Sequence, residues 1–220
     1  PRETLQHSQL LGTLDHFIGR KDQLREPAEQ DEVFRGIQRR LLTAMPDVAV
    51  AGATAAAYQD IFTQMRKAYA VSPAEERQGE EEGVALRDRM QAAYPFHPAL
   101  LDLMRQRWAS LPEYQRTRGA LRFLAACLRA QHKAGKSSGV LGPSDVLLTD
   151  HEVRRALIKE LGLMNRFDAV FESDLTGANA RAKRIDQRRA KENPAETGKS
   201  VATRLATAIF LHSFGGLKRE

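Results

Sequence analysis

The chain has 220 residues, of which 42% are hydrophobic, 28% charged and only 6% aromatic, and it carries a formal net charge of +6. This is enough apolar content for a core in one domain or two joined subdomains, and the scarcity of β-branched clusters favours helices. A single cysteine, Cys127, excludes an internal disulfide framework, and no run of about 18 apolar residues is present to span a membrane. The basic balance, with an isoelectric point near 9.7, suits a polyanionic partner without establishing one. Cys127 sits in an apolar run and reads as small core filler. With no signal peptide, the expected setting is the reducing cytoplasm. Pro1 in place of an initiator methionine reads as a fragment or a processed chain.

Leu5, Leu10, Leu11, Leu14, Phe17 and Ile18 recur at helical spacing up to Gly19. Pro27 opens a second helix, striped by Val33, Phe34, Ile37, Leu41 and Leu42. A third is expected over Thr54–Ala70, with Tyr58, Ile61, Phe62, Met65 and Tyr69 facing inward. Ser72 and Pro73 form a helix-start pair, cap then first-turn proline. The charged stretch Glu75–Glu82, interrupted by Gly79, reads as a solvated, mobile excursion before helix resumes over Val84–Ala93. In Tyr94-Pro-Phe-His-Pro two prolines impose a stiff turn, and Pro98 starts a helix to Trp108.

A long helix follows over Gln115–Lys133, with Leu121, Phe123, Leu124, Cys127 and Leu128 as its apolar side and Gly135 as its cap. Residues 135–143, rich in Gly and Ser, read as the loop or hinge between a helical region, 1–134, and a helical subdomain, 144–220. Val146-Leu147-Leu148 suggests a short strand. Thr149 or Asp150 caps a helix reaching Leu161. Shorter helices are expected over Asn165–Phe171 and Asn179–Lys191, and a last one over Lys199–Phe214, closed by Gly215-Gly216. The predicted fold class is all-α, a multi-helix bundle with at most a short strand or two.

Two Gly-Lys-Ser triplets, at Gly135 and Gly198, raise the question of a phosphate loop. Such a loop needs Gly-x-x-x-x-Gly-Lys-Ser/Thr between a buried strand and a helix. The first glycine is Ala130 in one case and Asn193 in the other, where Pro194 also removes a backbone donor. Neither triplet meets the requirement. No HExxH, paired Cys-x-x-Cys or nucleophile elbow is present, and the six histidines show no metal-ligand spacing.

At the start of the 115–133 helix, Arg116 and Arg118 stand where the helix dipole disfavours cations, with Gly119 beside them and Arg122 one turn on. Arginines and free N–H groups at such an end suit a phosphate; the alternative is a pair satisfied by carboxylates such as Glu113 or Asp102. A second basic group is the run Arg181, Lys183, Arg184, Arg188, Arg189 and Lys191, six cations against one acid. It could follow a nucleic-acid backbone or form a solvated face, and the lack of interleaved aromatics argues against base stacking. A protein-docking role for Glu75–Glu82 is a third reading.

Tyr94-Pro-Phe-His-Pro-Ala-Leu-Leu-Asp-Leu-Met, then Trp108, then Arg116-Thr-Arg-Gly-Ala-Leu-Arg-Phe-Leu-Ala resembles large bacterial AAA+ ATPases long catalogued as a domain of unknown function. That group is related to the ATPase components of phage-exclusion (BREX-type) defence systems. Gly19-Arg-Lys-Asp-Gln-Leu-Arg-Glu-Pro, Phe171-Glu-Ser-Asp-Leu and the segment from Val201 to Phe214 extend the resemblance over nearly the whole chain. It implies the region following a P-loop core, including a helical lid. ATP and Mg²⁺ would be held by that N-terminal core of the same polypeptide, and the isolated chain would need neither and would not hydrolyse ATP. The resemblance further implies a sensor role for Arg116 or Arg118, and an arginine finger acting in trans at Arg20 or Arg25. A homo-oligomer and DNA are the partners such a role allows, with no membrane partner.

Overall fold

The computed structural model describes residues 27–112, 114, 116–135, 139–163 and 167–216. Among them every regular element is helical, and there is no strand or sheet. The expected helix over Leu5–Ile18 lies outside the described residues. Contacts group the helices up to Pro98 into one compact unit and those from Ala99 onward into another.

The first unit contains α1 (Pro27–Leu41), α2 (Val48–Tyr69) and α3 (Pro73–Ala93). Asp47 caps α2, its carboxylate accepting from Ala49 N at 2.7 Å and Val50 N at 3.4 Å. Ser72 caps α3 as the Ser-Pro pair predicts, accepting from Glu75 N, while the Glu75 carboxylate reaches back to Val71 N at 3.0 Å. This reciprocal pattern fixes where α3 begins.

Two expectations are corrected in this unit. Glu75–Glu82 is not an excursion but the first half of a continuous α3. Gly79 and Gly83 do not break it: both are buried, four residues apart on one face, against Arg66 and Thr63 of α2. The charges point outward, Glu82 pairing with Arg66 at 3.2 Å. The large apolar residues of α2 also do not all face inward. Ile61, Met65 and Tyr69 are exposed, and the buried positions are Ala51 and Ala55. Small side chains let the two helices approach closely, so the interface selects size rather than hydrophobic bulk. α1 lays Phe34 and Gln38 on α3, and Gln38 donates its carboxamide N–H groups to Ala92 O at 3.0 Å and Tyr94 O at 2.6 Å. One buried side chain thus satisfies two carbonyls at the end of α3.

In the second unit α4 (Pro98–Asp102) widens into a π-type turn, Leu103–Arg107, and tightens over Trp108–Ser110. Trp108 is fully buried; its indole N–H donates to Leu211 O at 3.2 Å, and its ring meets Tyr114 and Phe123 edge-on. α5 (Arg116–Lys133) buries Phe123, Leu124, Cys127 and Ala130 at helical spacing and ends on Gly135, whose φ of 61° is the left-handed cap expected. α6 (His151–Leu161) starts at Asp150, which accepts from Glu152 N and Val153 N, and packs Val153, Leu157 and Leu161 toward α5. Val146-Leu147-Leu148 is not a strand. It is a loop after the tight turn Pro143–Asp145, with Val146 and Leu148 buried as core plugs.

α7 (Asp168–Val170) opens into a second π-type turn, Phe171–Leu175. α8 (Arg181–Glu192) and α9 (Val201–His212) complete the chain. Phe167, Phe171, Phe210 and Phe214 stack edge-to-face with centroids 4.9–5.9 Å apart. Gly215, at φ 68°, lies so close to the Arg107 carbonyl that a Cβ would collide with it, and Arg107 donates to Gly215 O at 2.9 Å.

Candidate functional site

The Gly198-Lys199-Ser200 triplet does precede a helix, and the amino end of that helix has an anion on it: the protein's own Asp186. From α8 this carboxylate accepts from Ala202 N at 2.8 Å, from Thr203 N at 2.9 Å and from the Thr203 hydroxyl at 2.6 Å. The seat a phosphate would take on a P-loop helix is therefore filled. The lysine is also committed, its Nζ lying 3.2 Å from Glu196, which accepts in addition from Arg189 at 3.1 Å. These hydrogen bonds, Arg189 first and then Lys199, hold the Glu196 carboxyl below its usual range. The residues of this triplet do not fit a nucleotide. Of the other triplet, Lys136 and Ser137 lie outside the described residues.

A cavity of about 710 Å³ borders the segment, with Lys183, Asp186, Lys199 and Arg204 in its wall. Its cations are already engaged: Arg204 pairs with Asp145 at 2.8 Å, and Lys183 donates to Thr176 O at 2.6 Å.

At the start of α5 the three arginines have different fates. Arg122 reaches across to α6 and donates to Glu160 Oε1 at 2.7 Å. Glu160 is 1% exposed, and its Oε2 has no hydrogen-bond partner among the described residues. Burial, and then the Glu160 charge, push the Tyr114 hydroxyl above its ordinary range. Arg118 is exposed in the first turn, beside the buried Gly119, and forms no ion pair or side-chain hydrogen bond among the described residues. Arg116 is the first residue of α5, and its side chain lies outside the described set, as do Glu113 and both Arg20 and Arg25. Asp102 lies 3.7 Å from Arg105.

The six basic residues near 181–191 divide by direction. Lys183 and Arg189 are engaged within the chain, the partly buried Lys183 by Thr176 O and the still exposed Arg189 by Glu196. Arg181, Arg184, Arg188 and Lys191 are exposed, and Arg181 alone has an acidic neighbour, Asp174 at 3.5 Å. Sequence reasoning missed the role of Asp186. Its signal was being the one acid in a basic run; its bonding partners lie sixteen and seventeen residues on.

No group of His, Cys, Asp and Glu able to hold a metal occurs among the described residues, and no described helix is long and apolar enough to cross a membrane. The His97 ring instead packs edge-on to Tyr58 with centroids 5.7 Å apart. A family model described as the DUF499 second domain matches residues 30–220, and the chain belongs to that family. No curated protein and no solved structure matches the chain.

Proposed function

We propose that this member of the DUF499 second-domain family is a helical accessory domain of a larger AAA+ ATPase, of the kind found in phage-exclusion defence systems and DNA-linked processing. In this reading a P-loop core elsewhere in the protein binds ATP and Mg²⁺, and the domain closes over it as a lid. The observation that carries it is Arg118: a solvent-facing guanidinium in the first turn of α5 with no ion pair or side-chain hydrogen bond among the described residues. A cation at that end opposes the helix dipole, and a terminal phosphate from outside would satisfy both. Arg118 would then stabilise the charge that develops as the phosphoryl group leaves.

Three further points support the reading. The resemblance runs through the residues around Tyr94–Ala125. The family description, a second domain, fits a module that works beside another. The one described Gly-Lys-Ser turn is closed by Asp186, so a nucleotide would have to be held elsewhere. Arg116 is the companion candidate, and Arg20 and Arg25 are candidates for action in trans within a homo-oligomer.

The test is Arg118→Ala in the complete ATPase. Turnover should fall at least about tenfold while nucleotide affinity changes by less than about threefold, as for a group used mainly in the transition state. Equal turnover in the variant and the parent would remove Arg118 from the reaction.

A further inference from the structure

α8 is sorted by charge. At about 100° per residue, Arg181, Arg184, Arg188 and Lys191 fall within an arc of roughly 80°, and all four are exposed. The opposite side is anchored: Ala182 is buried, Asp186 caps α9, and Lys183 bonds to Thr176 O. The helix is therefore held at a fixed rotation, and its outward side is fixed with it. Arg184, Arg188 and Lys191 form no salt bridge or side-chain hydrogen bond among the described residues. Glu192, the other acid of the helix, stands at its last position.

Like charges three and four residues apart repel. The fold uses its one mid-helix acid as a cap instead of placing it among them; Asp174 offsets Arg181 at one end of the row and Glu192 stands at the other, so positive charge remains in excess along it. A row of like charges only partly compensated inside the domain points to something outside.

We propose that this face docks, without sequence preference, on the phosphate backbone of duplex DNA. From Arg181 to Lys191 the row covers about 15 Å of helix, about four base-pair steps at 3.4 Å each. α8 carries no aromatic residue, and Ile185 is its one exposed large apolar side chain. It has no platform on which unpaired bases could stack, which favours a duplex over a single strand. The inference uses none of the residues of the Arg118 reading, so either can fail alone.

The experiment titrates the full chain against a labelled duplex of about 20 base pairs, by fluorescence anisotropy between about 50 and 200 mM salt. With three to four phosphates neutralised, log K should fall against log salt with a slope of about −3. Arg184→Gln with Arg188→Gln should cut that slope by about 2 and weaken binding at least about tenfold at the lower salt. The same positions changed to Lys should keep the slope, and Arg189→Gln, which lies off the face, should change neither quantity. Absent or salt-independent binding overturns the proposal, as does a slope unchanged in the double Gln variant. Displacement of the duplex by polyglutamate at equal charge would assign the face to an acidic protein and overturn it too. Preference for a single strand of the same length would refute the duplex.

Discussion

Asp186 and Thr203 are joined twice: one carboxylate oxygen accepts from both the backbone N–H and the hydroxyl of Thr203, at 2.9 and 2.6 Å. With the bond from Ala202 N, this makes Asp186 the amino-terminal cap of α9, supplied by α8 rather than by the residue before the helix. Ser200, which holds the preceding position, is left-handed at φ 51° and makes no side-chain cap bond. Replacing Asp186 by Ala should cost about 2 kcal/mol, the upper end for a lost cap, because the hydrogen bonds are to a charged acceptor. Asp186→Asn should recover part of it. Chemical denaturation of the three proteins measures the difference, and an unchanged midpoint in Asp186→Ala would show that water replaces the carboxylate.

Arg122 and Glu160 tie α5 to α6. Glu160 is almost wholly buried, whereas the Arg122 side chain keeps 39% of its surface. Removing a partner from a fully buried pair costs about 3–5 kcal/mol, since a charge is stranded. Partial exposure lets water reach the Arg122 side, so Arg122→Ala should cost about 2 kcal/mol. Glu160→Gln introduced into that variant should restore stability, because it neutralises the stranded group. A second substitution that lowers stability further would contradict this account.

Protonation works against the folded state at His212. Burial first, and the nearby Arg107 charge second, lower its pKa from the ordinary 6.5. The unfolded chain thus binds the proton more readily, and stability rises with pH through this window. The contribution is present above about pH 6.5 and is lost as the pH falls toward the lowered value. His212→Gln should flatten the rise of the denaturation midpoint between about pH 5 and pH 7. Glu196 and Glu152 act lower: both carboxyls are held below 4.5 by hydrogen bonds to cations. Their contribution is lost only as pH falls below that value. An unaltered slope between about pH 5 and pH 7 in His212→Gln would place the titrating group elsewhere.

The features legible in the sequence are those whose partners are close along the chain. Ser72 and Pro73, Asp150 and Gly135 act within a few residues of themselves, and each stands where the spacing predicted; Gly215 takes a left-handed conformation after the last helix, but its close contact is with Arg107, 108 residues back. The helical class follows from the same local signals. What was hidden depends on distant partners. Asp186 is an ordinary surface acid until α9 folds back on it, and Gln38 is an unremarkable polar residue until α3 ends 54 and 56 residues later. Val146 and Leu148 read as strand because apolar runs look alike, whether a neighbouring strand or a core receives them. Arg118 was visible as an anomaly because a cation at a helix start is a local contradiction.

Gly83 illustrates the same limit and gives a sharp test. Inside a helix an alanine should be preferred over glycine by about 1 kcal/mol, and from the sequence alone Gly83→Ala looks stabilising. In the fold a Cβ at Gly83 would press on the Thr63 hydroxyl and come within 3.5 Å of Gln59, and at Gly79 it would lie 2.8 Å from the Arg66 Cβ. Overpacking of this kind costs about 1–3 kcal/mol. At Gly79 the obstructing atom is a Cβ that cannot rotate away, so steric cost exceeds the propensity gain and Gly79→Ala should lower stability by about 1 kcal/mol net. Gly83→Ala should be milder when combined with Thr63→Ala, which removes the hydroxyl. Measured midpoints for both single variants and the double decide it. If Gly79→Ala proved more stable than the parent, α2 and α3 would have to lie farther apart than their buried glycines imply.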